Sequence, residues 1–141
     1  MERIVVLGNG IAGLTAAEAV RDNGFQGELT IVGEEARSPY SRPALSKAAL
    51  LDDDPAHLRL PDASHGATGV LGTSAVSLDP KGRTVTLTDG QVLPWDGLVV
   101  ATGARARRLT DHPDELTLRS VDDMLVLRER LADHLPTGGR T

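Results

Sequence analysis

The sequence predicts an α/β fold: a doubly wound parallel unit with an added antiparallel β-meander. Three observations carry that prediction. Ile4-Val5-Val6-Leu7 and Leu98-Val99-Val100-Ala101 are β-branched runs without polar alternation. Such runs read as strands buried on both faces, as in parallel sheets. A glycine-rich turn and a helical stretch join the first run to another strand, with the length a βαβ unit needs. Segments 75–78, 83–87 and 91–93 are short strands, with Asp89-Gly90 as a hairpin turn between the last two.

Each element follows in order. After Leu7 comes Gly8-Asn9-Gly10-Ile11-Ala12-Gly13. Residues 14–21 read as a helix, with an apolar stripe at Ile11, Leu14, Ala17 and Val20, and Asn23-Gly24 is a helix stop. Residues 28–32 form the second strand, closed by Gly33. Ser38 to Pro43 must be extended, because each proline biases its predecessor away from helix. Pro43 can open a short helix through Leu51, ended by Asp52-Asp53-Asp54. Residues 55–72 are rich in Gly, Ala, Ser, His and Pro and predict no definite element. After the meander, the strand 98–101 leads into Thr102-Gly103. The last helix is expected over 121–135, capped by Ser120 with Asp123 in the capping-box position. Its stripe is Met124, Leu127, Leu131 and Leu135, and Pro136 to Gly139 ends it.

Composition narrows the function. The chain has 141 residues, 40% of them hydrophobic, and a formal charge of −5. One domain, or part of one, is expected. The acidic balance argues against a broad nucleic-acid footprint, and three aromatics do not make a base-stacking surface. No apolar run approaches the roughly twenty residues of a membrane span, and no signal peptide fits the start. A cytoplasmic address is the default expectation. With no cysteine, disulfides, thiolate zinc and cysteine-held iron–sulfur clusters are excluded within these residues. His57, His65, His112 and His134 lack ligand spacing, and Asp52 to Asp54 lack a calcium-loop pattern. No metal site is expected.

The glycines carry the first chemical signal. Gly8, Gly10 and Gly13 form G-x-G-x-x-G between a strand and a helix, with a second strand beyond. That is the setting of a Rossmann-like dinucleotide site. Gly8 allows the tight turn, Gly10 lets a pyrophosphate approach the backbone, and Gly13 allows close helix–strand packing. The helix start offers free N–H groups and partial positive charge. Glu34 lies 21 residues after Gly13, where a carboxylate can accept from ribose hydroxyls. Glu35 is the alternative. A glycine turn that binds nothing is the bland reading, and the spacing does not separate NAD from FAD.

Further segments carry a resemblance. Tyr40-Ser41-Arg42-Pro43-Ala44-Leu45-Ser46-Lys47 resembles the FAD-dependent ferredoxin and rubredoxin reductases, two-dinucleotide-domain flavoproteins that serve bacterial oxygenases. Val32 to Glu35, Trp95 to Ala104 and Leu118 to Asp123 resemble three further segments of that family. The resemblance runs from Arg3 to Leu135.

It implies roles by position. Ala12 would lie in the pyrophosphate turn and Glu34 at the adenosine ribose. Lys47 would sit beside the flavin ring, the one candidate for a catalytic role, where an ammonium stabilises negative charge on reduced flavin. Arg42 and Pro43 would line the flavin side of the same loop. Ala75 would meet the adenine through its backbone, Arg119 would reach the cofactor, and Ala101-Thr102-Gly103 would bring a turn beside it. Each also has an ordinary reading, as a solvated side chain or a plain strand or loop residue.

The resemblance implies an oxidoreductase, a flavoprotein of electron transfer that takes hydride from NAD(P)H onto FAD. It would pass electrons to a ferredoxin- or rubredoxin-type acceptor. The family's later FAD-domain segment, its NAD(P)H-binding domain and its C-terminal domain are not in this sequence. The chain is therefore expected to be the incomplete first segment of the FAD domain, residues 1–141, dependent on those later segments as partners and not catalytically complete alone. A stand-alone, non-catalytic dinucleotide-binding module and a truncated product without ligand remain as alternatives. Arg42-Pro43 and Lys47 count against the module.

Overall fold

The computed structural model describes residues 1–51, 58–60 and 66–134. The expectations for Asp52 to Asp54, His57, His65, Leu135 and Pro136 to Gly139 fall outside those residues. The chain divides into two compact units, one of Met1–Tyr40 with Leu60–Gly103, the other of Ser41–Arg59 with Ala104–Thr141.

The first unit begins with β1 (Arg3–Leu7), α1 (Ile11–Asp22) and β2 (Glu28–Gly33), and continues with a strand β3 (Thr68–Leu71). The meander is β4 (Ala75–Asp79), β5 (Thr84–Leu87) and β6 (Val92–Pro94), and β7 (Gly97–Val100) returns to the main sheet. The main sheet has four strands in the order β3-β2-β1-β7, all parallel, and the other has three antiparallel strands in the order β4-β5-β6. β1 pairs in register with both neighbours, Val6 opposite Ile31 on one side and Val99 on the other.

The alternation of side chains along β1 builds two cores. Ile4 and Val6 join Leu14 and Ala17 of α1 with Leu29 and Ile31 of β2. Val5 and Leu7 join Val32, Val85 and Leu87 on the opposite face. The parallel sheet is thus a middle layer between helix and meander, which is why β1 carries no polar alternation. Each fully buried aliphatic side chain of this kind contributes about 1.5–3 kcal/mol.

Local devices hold the ends. Gly24 takes φ +85° after α1 and its N–H donates to the Arg21 carbonyl at 2.9 Å. Arg21 Nη1 donates to the Phe25 and Gly27 carbonyls at 2.8 and 2.9 Å, closing the turn into β2. Asp96 accepts from the Glu2 and Arg3 N–H groups at 2.7 and 2.9 Å, so the acid before β7 anchors the start of β1. Those two backbone bonds, with the Arg3 charge, hold its carboxyl below the usual range.

In the second unit, a 3-10 turn (Arg42–Ser46) precedes α2 (Ala48–Leu51), and α3 (Val121–His134) packs against both. Among the described residues, Leu45, Ala49, Leu58, Val121 and Met124 are its buried apolar side chains. Ser120 and Asp123 form the expected capping box: Ser120 N–H donates to Asp123 Oδ2 at 2.9 Å and Asp123 N–H to Ser120 Oγ at 3.1 Å. No described helix is long and apolar enough to cross a membrane.

Several expectations need correction. α1 starts at Ile11, not Leu14, so Ala12 and Gly13 lie in its first turn, and Ile11 is 66% exposed rather than part of the buried stripe. The helix expected from Pro43 to Leu51 breaks in two at Lys47, whose backbone (φ −128°, ψ −112°) is not helical. Arg83 is not a strand residue: it takes φ +50° in the turn before β5. β7 is an edge among the described residues, paired with β1 alone, and Val100 is 64% exposed instead of doubly buried. In α3, Met124 is buried but Leu131 is exposed.

Candidate functional site

In the first unit, the glycine turn sits at the carboxyl ends of the central strands. Gly8 N–H donates to the Val32 carbonyl at 2.8 Å, and Ala101 N–H to the Leu7 carbonyl at 2.8 Å. Gly8 adopts φ +121°, and a Cβ there would collide with the Ala101 carbonyl and crowd the Thr102 nitrogen. A Cβ on Gly13 would collide with the Gly8 carbonyl. These two glycines exist so that three backbone segments can touch.

Gly10 is different. Nothing lies within 4 Å of a Cβ built on it. The first bond of α1 runs from Leu14 N–H to the Gly10 carbonyl at 3.0 Å, leaving the N–H groups of Ile11, Ala12 and Gly13 without acceptors inside the helix. Open space beside free donors at a helix start is what an anionic pyrophosphate requires.

The end of β2 lies against this turn. A Cβ on Gly33 would come within 2.8 Å of Asn9 Cβ. Glu34 follows directly, exposed, and its carboxylate has no hydrogen bond or ion pair among the described residues. Glu35 accepts a 2.7 Å hydrogen bond from the Tyr40 hydroxyl. Thr73 N–H donates to the Gly33 carbonyl at 3.2 Å, which brings the start of β4, and Ala75 with it, towards the same end of the sheet. Ala101 is half-buried, while Thr102 and Gly103 are exposed, Gly103 at φ +74°.

In the second unit, Arg42 opens the 3-10 turn with Pro43 beside it. Arg42 Nη1 donates to the Arg119 carbonyl at 2.6 Å, joining two site candidates 77 residues apart. Asp123 Oδ2 also accepts from Arg119 N–H at 2.8 Å. Burial opposes the Asp123 charge, but the Ser120 and Arg119 amides and the Ser120 and Thr117 hydroxyls outweigh it and hold the carboxyl below its usual range. Lys47 is exposed, and its ammonium has no hydrogen bond or ion pair among the described residues. The described residues contain no group of His, Asp and Glu suited to a metal.

Comparison with known proteins agrees with this architecture. The family model of pyridine nucleotide-disulphide oxidoreductases matches residues 2–135. The chain belongs to that family. It is 37% identical over 134 residues to the ferredoxin–NAD(+) reductase subunit of a benzene 1,2-dioxygenase system from Pseudomonas putida, covering 89% of this chain and 33% of the relative. It is 36% identical to a rubredoxin–NAD(+) reductase of Pseudomonas putida, over 92% of this chain and 36% of the relative. Among solved structures, a ferredoxin reductase from Rhodopseudomonas palustris superposes with a TM-score of 0.86 at 34% identity, covering 94% of this chain and 35% of that one. The chain thus spans about a third of the length of the relatives it matches.

The Rossmann-like α/β expectation holds, with the meander as a separate layer. Its 141 residues hold no cysteine, so a redox disulphide is not in this stretch. Within the family fold, two parts escape sequence reasoning. Gly33 must be glycine because Asn9 lies over it; its position just before Glu34 is the available signal. β3 lies in a Gly-rich tract, and the short run Thr68-Gly69-Val70-Leu71 is its only trace.

Proposed function

We propose that this chain binds FAD through the adenosine diphosphate half, for a reductase that passes electrons from NAD(P)H through the flavin to a ferredoxin- or rubredoxin-type acceptor. The observation that carries the proposal is the open space at Gly10 beside the unpaired N–H groups of α1. In this reading Gly8, Gly10, Ala12 and Gly13 form the pyrophosphate turn, and Ala101, Thr102 and Gly103 the backbone beside it. Glu34 holds the ribose, supported by its unengaged carboxylate and by Tyr40's use of Glu35. Ala75 meets the adenine with its backbone. Arg42, Pro43, Lys47 and Arg119 serve the flavin side, with the Lys47 ammonium available to offset negative charge.

The bound flavin would supply the conversion of a hydride into single electrons, and the protein orients and tunes it. The names of the relatives support the donor and acceptor classes. A cytoplasmic address is part of the same proposal. Titration of FAD with the purified chain, followed by flavin fluorescence, tests it. Saturable binding displaced by ADP is expected. Binding that ADP leaves untouched overturns the assignment of the glycine turn.

A further inference from the structure

Arg119 enters α3 on a backbone tied on both sides. Its N–H belongs to the peptide group shared with Leu118, and its carbonyl to the one shared with Ser120. Asp123 Oδ2 accepts from the Arg119 N–H at 2.8 Å and the Ser120 N–H at 2.9 Å. Arg42 Nη1 donates to the Arg119 carbonyl at 2.6 Å. The peptide group between Arg119 and Ser120 is therefore held at its oxygen and its nitrogen at once. Because peptide groups are planar, fixing the two that flank one Cα fixes both of that residue's backbone torsions. The direction in which the Arg119 side chain leaves is set with them.

The guanidinium at the end of that side chain has no hydrogen bond or ion pair among the described residues, although the residue is half-buried. A planar group with five donors and no partner among the described residues is suited to an anion or a carbonyl supplied from outside the fold. A small angular error at Cα becomes a large displacement at the far end of an arginine. Holding the backbone reduces the ordering cost of the bound state. Arg42 is a strong choice for this, since a guanidinium donating to a carbonyl is a charge-assisted bond.

We propose that Arg42 and Asp123 are positioning residues that hold the Arg119 backbone so that its guanidinium is presented to the flavin dinucleotide. Arg42, which the family resemblance implies as a flavin-side residue in its own right, acts through Arg119. The inference rests on the FAD reading of the site.

Binding of FAD and of ADP to the 141-residue chain, measured across a double-mutant cycle, tests it. Arg42→Ala and Arg119→Ala are each expected to weaken FAD by about ten-fold while ADP stays within about two-fold. The double variant is expected to bind FAD as Arg119→Ala does, because the arm being positioned is already gone. Arg42→Lys, which keeps a charged donor group, should recover part of the loss. Losses that multiply across the cycle, or full FAD affinity in Arg42→Ala, overturn the proposal. If the unsubstituted chain binds neither nucleotide, the FAD reading fails, and amide exchange without ligand decides the clamp. Exchange at Ser120 about ten-fold faster in Arg42→Ala, with the rest of α3 unchanged, supports it. Unchanged exchange at Ser120 overturns it.

Discussion

The two units present their candidate ligand groups by opposite means. In the first, the groups are backbone N–H donors and an open space, set by glycines packed against the Ala101 and Gly8 carbonyls. In the second, they are the long side chains of Arg42, Lys47 and Arg119, carried on a 3-10 turn, a junction and a helix entry. A site built from backbone is as rigid as the sheet beneath it, and its mutations are steric. A site built from side chains depends on hydrogen bonds among its own members, and its mutations change binding while sparing the core.

Breaking the first unit should therefore have the largest effects, and those should separate by glycine. Gly13→Ala places a methyl group on the Gly8 carbonyl. A loss of roughly 3 kcal/mol or more in urea unfolding is expected. The Cβ that Gly10→Val adds meets nothing within 4 Å. The substitution should change stability by less than about 1 kcal/mol yet weaken ADP about a hundred-fold by calorimetry. Equal ADP affinities would remove Gly10 from the site. Glu34→Gln should cost about 1–2 kcal/mol of ADP binding, the difference between a charge-assisted and a neutral acceptor. Glu35→Gln should cost much less, and a reversal would exchange the two carboxylates' roles.

The second unit should answer in smaller steps. Ser120→Ala removes half of the capping box, and a stability loss of about 1 kcal/mol with unaltered ADP affinity is expected. The smallest effect, that of pH, draws on both units, Asp96 in the first and Glu115 and Asp123 in the second. Asp96, Glu115 and Asp123 all have folded-state pKa values below their ordinary 3.8, 4.5 and 3.8. For Glu115 the main cause is the Leu109 N–H, which donates to it at 2.6 Å. Below the ordinary values the unfolded chain takes up protons that the folded chain still refuses. The stability these groups lend is thus complete above the ordinary values and is lost as pH falls through the lowered ones. Melting temperature should not respond to these groups above about pH 5.5 and should drop below about pH 4. A fall centred near neutrality would point to other groups.

The same contrast explains what the sequence made legible. β1, α1 and β2 announce themselves because burial on two faces favours apolar residues and the close approach of the Gly8, Gly13 and Ala101 backbones excludes side chains. β3 does not, because its strand conformation comes from pairing Thr30 to Gly33 with Thr68 to Leu71 and not from its own pattern. The break at Lys47 is invisible for a similar reason: Ala44-Leu45-Ser46-Lys47-Ala48 contains no helix breaker. Glu34 and Glu35 cannot be told apart by spacing, and the bond from the Tyr40 hydroxyl to Glu35 exists only once the chain is folded. Arg42 and Arg119 belong together through one side-chain-to-backbone bond, for which no sequence pattern exists.

The alternation along β1 has a consequence for how the first unit opens. Its odd and even side chains face cores that share no side chain, Val5 and Leu7 on one side, Ile4 and Val6 on the other. Loosening the helix-side core leaves the meander-side core still gripping the strand, and the reverse holds as well. The amides of Val5 and Val6 should therefore be among the slowest in the unit to exchange with solvent deuterium. They should stay protected through any partial opening that frees α1 or the meander alone, and yield only when both layers part from the sheet together.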